Sequence, residues 1–252
     1  MTAGHGLRLE SGRSSEHETD IREKLSQLFR ECPIPDDEIL ANLGLFIKRK
    51  DLSRILFLQD LYQQILHVHG VVVEFGVRYG NNLALLQSFR GIYEPFNHNR
   101  KILGFDSFQG FPSVHDKDGG SVSVGSFNVT RNYEEYLLRV LDYHEQESPI
   151  SHIEKYKLIK GDASVQVGTY FKENPETLIA LAYFDFDLYE PTKKCLEVIS
   201  SHLTKGTIIA FDQLNDHDFP GETLALKEVW GLDKYKIRRS PVASLQAYIV
   251  IE

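Results

Sequence analysis

The chain has 252 residues, 42% of them hydrophobic and 25% charged, with a formal net charge of −8. That composition suits one large globular domain with its own apolar core, and the negative balance argues against nucleic acid or an anionic membrane as partner. No apolar stretch reaches the roughly 18 residues of a membrane span; the opening MTAGHGLRLESGRSS lacks the apolar run of a secretion signal; and the distant Cys32 and Cys195 form no metal or redox motif, which points to a cytoplasmic protein with reduced thiols.

Residues 1–14 are polar and rich in Gly and Ser, and disorder is expected there. A helical cap over 15–69 follows. Its first helix places Ile21, Leu25, Leu28 and Phe29 at helical spacing and stops at Pro33 and Pro35. The pattern predicts a second helix over 36–49 and a third over 53–68, with Ser53 as N-cap and Gly70 as stop. The apolar faces of these helices suggest a homo-oligomer.

From residue 70 to 252 the rhythm becomes strand, helix, strand. VVVEFGV, KILGFDS, YKLIKGD, LIALAYFDFD and GTIIAFDQ read as continuous apolar strands, the mark of a parallel sheet buried on both faces. Helices are expected over 164–173, over 191–204 with Pro191 in the first turn, and over 221–230. YKIRRS and SLQAYIVI are separated by too few residues for a parallel crossover, so they must pair antiparallel. The fold class is therefore α/β: a Rossmann-like, mostly parallel sheet with an antiparallel last strand. An insertion at about 107–155, with a helix in RNYEEYLLRVLDYHEQ, has the size and place of a lid or acceptor-binding element.

Ligands of open α/β sheets bind beyond the carboxyl ends of the strands, so those ends carry the functional argument. The first ends in Glu74-Phe75-Gly76, with Arg78 and Gly80 following. The glycines admit a close ligand, but this is neither the dinucleotide fingerprint nor a P-loop, which favours a nucleoside without phosphate. A turn with no ligand would look similar. Arg78 could pair with a carboxylate of that ligand or simply lie at the surface. The second strand ends in Asp106-Ser107-Phe108: an acid able to accept ribose hydroxyls and a ring able to stack on adenine, or an ordinary Asp turn. The third ends in Asp162-Ala163, where Asp162 suits an adenine amine or a helix N-cap.

The fourth and fifth strands end in Asp185-Phe186-Asp187 and Asp212-Gln213. Acids two residues apart repel unless a cation or proton relieves them. Asp185, Asp212 and the Gln213 amide oxygen form a hard-oxygen set suited to Mg2+. His115 and His217 are alternative bases or plain loop residues. Glu222 is a further contact or, more simply, an acid favoured by the first turn of a helix.

EFGVRYG, GFDSFQGFP, GDAS and FDFDLYEPT resemble the macrocin O-methyltransferase family, which methylates sugars of natural products. The resemblance implies a seven-stranded class I methyltransferase sheet and S-adenosyl-L-methionine as cofactor. It implies that Glu74, Gly76, Asp106, Ser107 and Asp162 bind that cofactor, that Asp185 and Asp212 hold Mg2+, and that Asp187 is the general base. Where the family commonly carries a second acid after Asp212, this chain has Gln213, which removes one negative charge from the metal site. The expected acceptor is a small-molecule glycoside. A phenolic or catechol acceptor, a nicotinamide-dependent dehydrogenase on a similar sheet, and a non-catalytic binding protein are the alternatives.

Overall fold

The computed structural model describes residues 14–252, so the expectation of disorder over 1–14 falls, but for Ser14, outside the described residues. The chain forms two compact units, one through Arg54 and one over Ile55–Glu252.

In the first unit α1 (Glu16–Arg30) opens on a capping box, with the Ser15 side chain accepting from the Glu18 amide and the Glu18 carboxylate returning to Ser15. The helix expected over 36–49 is instead a single turn, α2 (Asp36–Ile39), continued by a 3₁₀ stretch at Leu40–Leu45. Gly44 lies in that stretch, and glycine inside a helix loses more backbone entropy than any other residue. The third helix, α3 (Arg49–Gln64), whose residues from Ile55 onward belong to the second unit, starts earlier than expected. The Leu52 amide already bonds the Lys48 carbonyl, so Ser53 is interior and its hydroxyl donates to the Lys50 carbonyl rather than capping.

The second unit holds a seven-stranded sheet. Its strands are β1 (Val71–Phe75), β2 (Ile102–Asp106), β3 (Tyr156–Lys160), β4 (Ile179–Phe184), β5 (Leu203–Phe211), β6 (Arg238–Arg239) and β7 (Ala247–Val250), in the order β3-β2-β1-β4-β5-β7-β6. β7 runs antiparallel to both β5 and β6, as the short connection required, while β1 to β5 pair parallel. Between strands run α4 (Asn81–Tyr93), α5 (Tyr133–Glu147), α6 (Ala163–Glu173), α7 (Tyr189–Ile199) and α8 (Gly221–Val229). This is the Rossmann-like sheet of methyltransferases.

Side-chain alternation along the strands builds two cores. Val71, Val73 and Phe75 join residues of α6, α7 and α8 on one face, and Val72 joins α4, α5 and the later residues of α3 on the other. β1 and β4 are buried throughout. β3 is the exception to the expected continuous burial: it is an edge strand, with Lys157 and Lys160 exposed.

The 107–155 insertion divides in two. Its second half, α5, belongs to the core: Leu137 and Leu141 are 2% and 1% exposed. Buried Glu145 forms ion pairs with Arg90 of α4 at 2.9 Å and with Lys155. The first half is loop, pinned by Asp118, whose carboxylate accepts from the Tyr189 amide at 2.5 Å and the His115 amide at 2.7 Å.

Candidate active site

The order of strands reverses at β1 and β4, and the crevice outside their carboxyl ends is where such sheets hold ligands. Gly76 lines it, with φ +93, and a Cβ there would overlap the Asp185 carbonyl oxygen. Its glycine is thus demanded first by the neighbouring strand end. Gly80, at φ +78, caps α4, and a Cβ would run into the Leu137 side chain of α5.

The Asp106 carboxylate ties two loops together. One oxygen accepts from the Arg78 amide at 2.7 Å and the other from the Phe108 amide at 2.6 Å. The Arg78 guanidinium lies over the rings of Tyr79 and Phe127, 5.2 and 5.0 Å from their centroids. Ser107 uses its hydroxyl within the turn, donating to Gly110 and accepting from Gln109. Phe108 is 7% exposed in the apolar cluster of Val77, Leu83 and Leu137, a place for its ring that needs no adenine. Asp162 caps α6, its Oδ1 accepting from the Ser164 amide and hydroxyl at 2.9 and 2.6 Å. Ala163 packs in the core at 5% exposure. Glu74 is buried and accepts from the Asn82 amide group at 2.8 Å.

Beside the Gly76 loop, just past the ends of β4 and β5, lie the acids. Asp187 is 6% exposed and held at φ +61, a backbone region that Asp tolerates better than most residues. Asp212 is 5% exposed; its Oδ1 accepts from the Tyr183 hydroxyl at 2.7 Å and from Gln246 Nε2 at 2.9 Å. The Gln213 side-chain oxygen is buried and accepts no hydrogen bond among the described residues. No three His, Cys, Asp or Glu side chains gather into a ready metal set among those residues. A cation at this point would rest on Asp185, Asp212 and that bare amide oxygen, and an acceptor without a donor fits such a ligand.

Glu222 is the residue that sequence reasoning undervalued. It does stand in the first turn of α8, as the simpler account had it, but it is wholly buried, with an exposure of 0%. One oxygen accepts from the amides of Phe186 and Asp187 at 3.1 and 3.4 Å, the other from the Gln213 amide at 3.2 Å. Burial, and then the charges of Asp187, Asp185 and Asp212, push its carboxyl well above the usual range. Tyr183, too, went unnoticed; a tyrosine within a buried strand signals a hydroxyl needing a partner. His217 is fully exposed. The His115 ring lies tilted against Tyr189, 5.0 Å between centroids, and takes the Lys117 amide on its ring nitrogen.

The sheet order, with its antiparallel last strand, is that of a methyltransferase. No family model matches the chain, and no curated protein matches it. Among solved structures, the calicheamicin methyltransferase CalS11 is 43% identical over 99% of each chain, with a TM-score of 0.92. An apo structure of CalS11, described as a TDP-rhamnose 3'-O-methyltransferase of calicheamicin biosynthesis, is 41% identical over 94% of this chain and 95% of that one, with a TM-score of 0.84. The O-methyltransferase NovP shares the fold, with a TM-score of 0.61 over 79% of each chain at 16% identity. The protein belongs to the O-methyltransferase family that includes CalS11, and it is an enzyme of that class. The resemblance read from EFGVRYG, FDSFQGFP and DFDLYEPT is borne out at that level.

Proposed function

We propose that this enzyme transfers the methyl group of S-adenosylmethionine to a sugar hydroxyl of a glycosylated natural product, with Asp187 as general base and Mg2+ assisting. The observation that carries the reading is that Glu222 joins the Asp185–Asp187 loop after β4 to the Asp212–Gln213 loop after β5, directly beside the Gly76 loop after β1. On this reading Glu74, Gly76, Arg78, Gly80, Asp106, Ser107, Asp162, Ala163 and Asp185 line the cofactor half. Asp185, Asp212 and Gln213 would hold Mg2+, which when bound lowers the pKa of a coordinated hydroxyl.

The chain's own residues do the rest. The loops around Gly76 and Asp106 orient the methyl donor, and alignment is the largest gain available to a methyl transfer. Asp187 accepts the acceptor's proton as the new C–O bond forms and the sulfonium C–S bond breaks. Tyr183 and Gln246 keep the Asp212 carboxylate fixed in one orientation. The loop half of the 107–155 insertion is the natural place for acceptor recognition.

CalS11 favours a second form of acceptor: a deoxysugar still carried on thymidine diphosphate rather than on the finished product. The two are separated by supplying S-adenosylmethionine and Mg2+ with TDP-rhamnose or with rhamnosylated aglycones, and reading methylated product by mass spectrometry. Methylation of a catechol and of no sugar would overturn the proposal. The exposed Ile21, Leu28 and Phe29 of α1 support assembly into a homo-oligomer, and the free thiols of Cys32 and Cys195 support a cytoplasmic setting.

A further inference from the structure

Gly221 and Glu222 open α8 directly against the backbone of the loop that carries Asp185 and Asp187. A Cβ at Gly221 would lie 2.6 Å from the Asp187 carbonyl oxygen and 2.6 Å from the Tyr189 amide nitrogen. Glu222 reaches past this contact and takes amides from both strand ends: Phe186 and Asp187 after β4, Gln213 after β5. Asp187 itself stands in a left-handed backbone conformation that the surroundings must hold in place. A wholly buried carboxyl group is an expensive way to fill space, which an apolar side chain would do without burying polar atoms. What only a two-oxygen acceptor does is tie both loops at once.

We propose that the Gly221–Glu222 step is a positioning device for the reaction: it sets Asp187 and Gln213 relative to one another while touching neither substrate nor cofactor. Glu222 is a positioning residue, and this role rests on the reading of Asp187 as general base. Both oxygens of a carboxyl group keep an acceptor lone pair whether or not the group is protonated; glutamine at this position keeps the shape but replaces one of them with an NH2 that only donates. It can satisfy the amides after β4 or the amide after β5, not both. Alanine at 221 attacks the same loop sterically with Glu222 intact.

The test compares wild type, Glu222→Gln, Gly221→Ala and Asp187→Asn as full chains. Each is assayed with TDP-rhamnose and Mg2+, titrated with S-adenosylhomocysteine, and followed by hydrogen exchange. In both Glu222→Gln and Gly221→Ala, kcat should fall by about 10²-fold, the effect of misplacing a reacting group by about 1 Å, with KM and S-adenosylhomocysteine affinity within about threefold of wild type. Exchange should quicken in the peptides around Asp187 and Gln213 and nowhere else. Wild-type kcat with unchanged exchange in Glu222→Gln would overturn the proposal. So would a parallel loss of turnover, cofactor affinity and global protection, which would make the step general scaffolding. If Asp187→Asn keeps full turnover, the base assignment fails instead. The exchange at the two peptides still decides whether Glu222 ties them, including where wild type does not accept TDP-rhamnose.

Discussion

Gly76 of the first strand end lies against the carbonyl oxygen of Asp185 at the fourth, so closely that a single methyl group would overlap it. The two loops that would hold cofactor and acceptor are therefore in backbone contact. Gly76→Ala introduces both that overlap and a side chain at φ +93, a strain of order 1–3 kcal/mol from the backbone alone. Urea unfolding should show a lowered midpoint, and calorimetry should show weakened S-adenosylhomocysteine binding. Unchanged cofactor affinity in a destabilised variant would confine Gly76 to a structural role.

On the proposed mechanism, Asp187→Asn removes the proton acceptor and keeps the shape. Turnover should drop by at least about 10²-fold, the usual contribution of a general base. Cofactor titration should look like wild type. Undiminished turnover would take Asp187 out of the reaction.

Thorough chelation should suppress activity, and added Mg2+ should restore it. Gln213→Asp supplies the second acid that the family commonly carries, and it should tighten Mg2+ binding through added charge and a hard-oxygen ligand. The comparison is a metal titration after chelation. Full activity in the metal-stripped wild type would refute the metal assignment.

Glu145 sits between Arg90 and Lys155, all three almost wholly buried. Glu145→Ala strands two buried cations, and the loss of one partner of a buried pair costs about 3–5 kcal/mol. Chemical denaturation measures it. A change below about 1 kcal/mol would mean that the backbone carbonyls around Lys155 and Arg90 already satisfy them.

Burial acts to raise the Glu94 carboxyl, but Arg100 at 2.8 Å, with Asn97 and Tyr62, outweighs it and holds the group below its usual 4.5. A depressed carboxyl contributes stability that is present above its unfolded value and is lost as pH falls through the folded one. The stability gap between wild type and Glu94→Gln should thus be constant near neutrality and close below about pH 4.5. Urea midpoints across that range follow it; a gap independent of pH would contradict the sign.

The parallel order and the reversed last strand were legible because continuous apolar runs and a short connection leave few topologies. Strand ends, too, announced themselves: Asp106, Asp185 and Asp212 fall where β2, β4 and β5 stop. What sequence did not yield was partnership across long separations. Nothing in a lone Glu222 after a Pro-Gly turn tells that it reaches three amides nine to thirty-six residues away. The helix expected at 36–49 failed for a local reason: the α-helical turn ends at Ile39 and tightens into a 3₁₀ stretch at Leu40–Leu45, a change that apolar spacing does not distinguish from a continued helix. In the same way β3 looked like an inner strand by composition, and only the order of the sheet makes it an edge.

The insertion hangs from fixed points. At its entry Asp106 grips the chain through the Phe108 amide, and at its exit Leu137 and Leu141 are set into the core. Between them the loop crosses to α7 and is moored again by Asp118. On the reading of this loop as the acceptor-recognition element, the stretches between those moorings can change in sequence without disturbing either the α5 packing or the Asp106 turn.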